Sequence, residues 1–238
     1  MAQISRKELK SDEFVSGMDA AYEFYLQHQK AIATTLVVIA VVVACGYGIF
    51  AWRRSRNQRA AAMLAQALNT LHAPLQSAGL PAGTSAYATA AARGTVAAQQ
   101  FQSVIDNYGS TGAGQLAHYY LGLAELDVNT SASLKKAAAD LHAASHSSDA
   151  TVATAAKHAL ANLAIQNGNF AQAHALLLAL TQQDSATLPR AVALLELADL
   201  DRTYNPKEAA LYYQQLETQY PNTSTAQQAE QDLASLKH

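Results

Sequence analysis

Apolar positions follow two regimes along the chain. From Ala31 to Trp52 they form an uninterrupted run without a charged residue, AIATTLVVIAVVVACGYGIFAW. As a helix, these 22 residues rise about 33 Å, enough to cross a hydrocarbon core of about 30 Å. Lys30 bounds one end, Arg53 and Arg54 the other, and Trp52 suits an interfacial anchor. The run predicts a single transmembrane helix over 31–52, behind a short N-terminal segment over 1–30. Beyond it, Leu64, Leu68, Leu71 and Leu75 recur at helical spacing, with Ala61 and Ala67 beside them. This helix continues out of the apolar run with little interruption, until Pro74, Gly79, Pro81 and Gly83 mark a loop over 74–86. Residues 53–86 are thus a juxtamembrane helix and loop. From Thr89 onward helices alternate with short polar turns, and no stretch sustains the period-two pattern of a strand.

The helices over 87–238 repeat. One unit places Leu160, Ala161 and Ala164 on a first helix, Asn167-Gly168-Asn169 in a turn, and Phe170 after it. Ala173, Leu177 and Leu180 then follow on a second helix. This spacing resembles a tetratricopeptide repeat, in which small residues lie where paired helices touch and large ones fill the gaps between hairpins. The second-helix pattern recurs at Ala97, Phe101 and Val104, at Ala137, Leu141 and Ala144, and at Ala209, Tyr213 and Leu216. The large residues at 101, 141, 177 and 213 are separated by 40, 36 and 36 positions. Such repeats have a period of about 34. Leu121-Gly122 and Leu197-Ala198 supply further first helices, and Ser224 to Lys237 reads as a terminal helix with a polar outer face. The expected architecture is all-α: one transmembrane helix, then a right-handed helical repeat array presenting a groove.

Composition narrows this picture. Fifty-two of the 238 residues are alanine, which favours helix and close helix contact. The formal net charge is only −2, but the charges are segregated. Arg53, Arg54, Arg56 and Arg59 stand without an acid among them, whereas residues 60–238 carry eight bases and thirteen acids. The arginine cluster suits lipid headgroups at the membrane surface. By the positive-inside rule alone it places the C-terminal domain in the cytoplasm, although long domains translocate largely regardless of flanking charge. The acidic domain argues against nucleic-acid binding. Within the apolar run, Ala40, Ala44 and Gly48 share one helix face. They are either chance in an Ala/Val-rich sequence or a packing face for another transmembrane helix. Val42-Val43-Ala44-Cys45 resembles a lipobox, but the apolar run continues to Trp52 and the leader is long and net acidic. Lipidation of Cys45 stays open.

Catalytic patterns are missing from the sequence. There is no Gly-rich phosphate loop, nucleophile elbow or paired-carboxylate motif, so neither an enzyme nor a cofactor is expected. His142 and His146 are spaced as metal-ligating pairs are, but Ala-Ala-Ser lies between them with no acid. Solvated surface histidines are the better reading, and no metal is expected. Among the eleven tyrosines, Tyr213 fits the core, while Tyr119 and Tyr212 are the candidates for the groove.

The order of parts resembles one family: Phe24 to Lys30 entering the apolar run, the Gly46 to Arg53 exit, then the repeat positions above. It is similar to the YfgM-type ancillary subunits of the SecYEG translocon. The resemblance covers nearly the whole chain. It implies a bacterial inner-membrane protein with a cytoplasmic N-terminus and periplasmic repeats, which contact translocon subunits, periplasmic chaperones and emerging clients. Scaffolds for other cell-envelope machines, such as cytochrome maturation or outer-membrane biogenesis, share such repeats and stand as the alternative.

Overall fold

Alanine-rich segments bounded by Thr, Asn and Asp caps dictate helices. The computed structural model describes residues 6–76 and 86–236. Among them lie α1 (Arg6–Leu71), α2 (Ala90–Tyr108), α3 (Gly112–Val128), α4 (Ser131–Ala144), α5 (Ala150–Gln166), α6 (Phe170–Leu180), α7 (Arg190–Tyr204), α8 (Pro206–Gln219) and α9 (Ser224–Ser235). Thr89, Thr111, Thr130, Asp149, Asn169 and Thr223 each accept a backbone N–H at a helix start, satisfying donors that the helix leaves free. Asn129 (φ 52°) and Gly168 (φ 72°) end helices in the left-handed region, as C-terminal caps do. The loop expected over 74–86 falls largely on residues 77–85, which lie outside the described residues. Its described ends pair: Gln76 N–H donates to the Tyr87 carbonyl at 2.8 Å, and Tyr87 N–H to that of Pro74 at 3.0 Å.

The chain divides into two compact units, Met1–Ser55 and Arg56–His238, and α1 contributes to both. In the first unit, Leu36, Val37, Val38, Ile39, Val41, Val42, Val43, Ile49 and Phe50 are all exposed. From His28, α1 is long and apolar enough to cross a membrane, with a mean hydropathy of 2.4 over its most apolar window. Among the described residues nothing covers these side chains, and a continuous apolar helix surface is unfavourable in water.

In the second unit the repeat positions form the core. Phe101, Leu141, Leu177 and Tyr213, on α2, α4, α6 and α8, are fully buried, as are Ala97, Ala137, Ala173 and Ala209. Burial of each large side chain contributes roughly 1.5–3 kcal/mol. Leu121 and Gly122 of α3, Leu160 and Ala161 of α5, and Leu197 and Ala198 of α7 are buried opposite them. The tail of α1 completes the first hairpin, since Leu64, Ala67 and Leu71 cluster with Ala97, Phe101, Val104, Ala117, Leu121 and Ala124. At the other end α9 buries Ala226, Ala229 and Leu233 against α8 and α7. The helices approach closely because side chains are missing where they meet. A Cβ on Gly94 lies 2.5 Å from the Ala124 carbonyl oxygen, and one on Gly122 lies 2.6 Å from Leu141 Cγ.

Successive first helices are not evenly stacked. α3 packs on α5 and α7 on α9, whereas α5 and α7 do not approach each other backbone to backbone. The segment between them includes residues 181–189, the longest described connection in the array. This separation leaves a gap between α5 and α7.

Candidate functional site

Between α5 and α7 lies an open cleft of about 400 Å³, lined by Asn162, Ile165, Phe170, Glu196, Asp199, Leu200, Thr203 and Tyr204. The helical period puts Asn162 and Ile165 on one wall, and Glu196, Asp199, Leu200 and Thr203 on the other. Phe170, the first residue of α6, closes one end with its ring centroid 4.0 Å from that of Tyr204. The cleft thus combines an apolar lining with two carboxyl groups. His158 Nε2 donates to Glu196 Oε2 at 2.8 Å and bridges α5 and α7. This bond raises the His158 pKa against the opposing effect of burial. Asp199 accepts a 2.6 Å hydrogen bond from the Tyr213 hydroxyl. Partial burial pushes the Asp199 carboxyl above its ordinary value, while the Tyr213 bond pulls it back. The arrangement suits an extended or helical polypeptide segment that inserts an apolar side chain and sets a basic one against Glu196 or Asp199.

The residues singled out by sequence occupy other places. Tyr213 is fully buried. Tyr119 is half-buried against Ala144, Val152 and Ala156, with its ring centroid 5.1 Å from that of Tyr120. Tyr212 is half-buried between the α6–α7 and α7–α8 clusters. Neither lines the α5–α7 cleft. Its aromatic residues are Phe170 and Tyr204; the turn at Asn167-Gly168-Asn169 marks Phe170 in the sequence as a repeat residue, not as part of a groove. Tyr204 carries no such signal, since it lies outside the repeat positions. Ala40, Ala44 and Gly48 are exposed along α1, as is the free thiol of Cys45. Arg53, Arg54 and Arg59 are exposed, while Arg56 is half-buried and reaches the Asn107 carbonyl at 3.5 Å. His142 and His146 are exposed with ring centroids 4.8 Å apart, and His146 Nδ1 donates to the His142 carbonyl.

A second polar cluster escaped the sequence reading. His174 on α6, Asp201 on α7 and Glu208 on α8 present one donor atom each, all within 4.8 Å of one another. Their positions in sequence match no ligand spacing, so only the packing of three helices brings them together.

A family model described as a tetratricopeptide repeat-like domain matches residues 23–192, from ahead of the apolar run to the first turn of α7. No curated protein sequence matches the chain. Helices α8 and α9 lie beyond the matched residues, yet Ala209, Tyr213 and Leu216 are buried as the preceding units are.

Proposed function

The chain belongs to the tetratricopeptide repeat-like domain family, and from that premise we propose that it is a membrane-anchored scaffold ancillary to the Sec translocon. In this reading α1 spans the bacterial inner membrane once, over 31–52, and the repeats lie in the periplasm. There they link the translocon to periplasmic chaperones and emerging clients. A repeat-type protein-interaction domain joined to a helix of uncovered apolar side chains is the observation that carries the proposal. Ala40, Ala44 and Gly48 are proposed to dock on a translocon helix, since small residues allow close backbone approach in lipid. Arg53, Arg54, Arg56 and Arg59 are proposed to meet headgroups at the membrane surface. The cleft between α5 and α7 is the proposed contact for a client or chaperone segment, with Tyr119 and Tyr212 as outlying contacts.

Photocrosslinking from Thr203, an exposed residue of the cleft, tests this in cells. The expected products contain translocon subunits, periplasmic chaperones or secreted clients, and their yield falls in Tyr204→Ala. Products drawn only from another envelope assembly machine, or from cytoplasmic proteins, overturn it. A reporter fused at His238 checks the side of the membrane: phosphatase activity is expected, and cytoplasmic fluorescence contradicts it.

A further inference from the structure

We propose that His174, Asp201 and Glu208 form a site for a divalent cation of the zinc class, joining α6, α7 and α8 across two successive repeats. His174 Nε2 lies 3.2 Å from Asp201 Oδ2 and 3.9 Å from Glu208 Oε2. Four-coordinate zinc with bonds of about 2.0–2.2 Å sets its donors roughly 3.3–3.6 Å apart. The three atoms therefore need only side-chain adjustment to share one ion. Glu208 and His174 are partly exposed, which leaves a route for the ion and an open coordination position for water. The donors are one imidazole and two carboxylates. With the imidazole neutral they carry two negative charges against the cation's two positive ones, and the nitrogen donor disfavours magnesium and calcium.

Asp201 supplies an independent observation. It falls on the core-facing side of α7, one turn after Leu197, and is only 4% exposed. Its buried Oδ2 has no well-aligned hydrogen bond, its one polar neighbour among these donors being His174 Nε2 at 3.2 Å. A buried carboxylate without a directed partner is costly. Two donor atoms at this separation without hydrogen-bond alignment are placed as ligands of a shared cation are. A simple His–Asp pair leaves the convergence of Glu208 unexplained. Glu208 is itself positioned by Pro206, the first residue of α8, which starts the helix two residues earlier.

The test uses full-length protein in detergent, stripped with a chelator and titrated with Zn²⁺ or Co²⁺. The expected result is saturable zinc binding of a single equivalent per chain and a raised unfolding midpoint. Cobalt is expected to give the visible absorption of a four-coordinate site, and magnesium and calcium at equal concentration to have no effect. Glu208→Gln and His174→Gln each weaken zinc binding by more than about tenfold with unchanged circular dichroism, and the double variant His142→Ala/His146→Ala does not. Absence of saturable zinc binding overturns the site. So does affinity unchanged from the wild type in Glu208→Gln and His174→Gln, or loss of binding in the His142→Ala/His146→Ala variant.

Discussion

Glu125 shows how a buried position changes a side chain's chemistry. It occupies a core-facing site on α3, is 7% exposed, and its Oε2 accepts no hydrogen bond. Burial above all, and then Asp140 on α4, push its pKa from 4.5 up to about 7 against the opposing pull of Lys136. The folded state therefore holds a proton that the unfolded chain releases between about pH 4.5 and 7. The contribution of this group to stability is full below that window and is lost as the pH rises through it, by up to about 3 kcal/mol. Glu125→Gln keeps the shape and removes the charge, so it is expected to stabilise the domain at pH 8 and to be near neutral at pH 4. Urea unfolding followed by circular dichroism at both pH values checks this, and an equal effect at both contradicts it. Helical period alone sends Tyr213 inward, but the Asp199 carboxylate that receives its hydroxyl lies on another helix. No local pattern marks that partner.

Helix pairing depends on small residues where backbones meet. Gly122 stands between Leu121 and the α4 residues Ala137 and Leu141, and a Cβ there collides with Leu141. Gly94 meets the Ala124 carbonyl and Asp127 Cβ in the same way across α2 and α3. Gly94→Ala is expected to cost about 1–3 kcal/mol, because the clash against backbone outweighs alanine's better helix propensity. Gly112→Ala, where nothing lies within 4 Å of the added atom, is the control and should be neutral or slightly stabilising. Thermal unfolding of the two variants distinguishes them, and equal midpoints contradict the packing argument. These helices were legible because alanine, leucine and capping residues act over a few positions. The role of the α1 tail was less so. Its leucines declared a helix, but only the contacts of Leu64, Ala67 and Leu71 with Phe101 make that helix part of the first hairpin.

From α2 to α9 each helix packs on its neighbours in sequence, with α3–α5 and α7–α9 as added contacts. Such an array is stable as a sum of local interfaces and needs a covered end. Here α9 covers it: Ala229 and Leu233 join Leu194, Ala198, Tyr213 and Leu216 in one cluster, and Arg202 pairs with Asp232 at 3.3 Å. Ending the chain after Tyr220 uncovers that cluster. The expected loss is at least about 2–3 kcal/mol, with stronger binding of an apolar dye and hydrogen exchange accelerated first in α7 and α8. Exchange accelerated uniformly through α2 contradicts the neighbour-by-neighbour account. By itself, the sequence determined the all-α class, the apolar helix and the buried positions of each repeat, because periodicity, capping and chain length are local properties. Tertiary structure decided the rest. The cleft exists because α5 and α7 are not in backbone contact, and His174, Asp201 and Glu208 converge because three helices pack at one offset. That offset depends on the volumes of side chains and on the length of the connection over 181–189, which no single segment encodes.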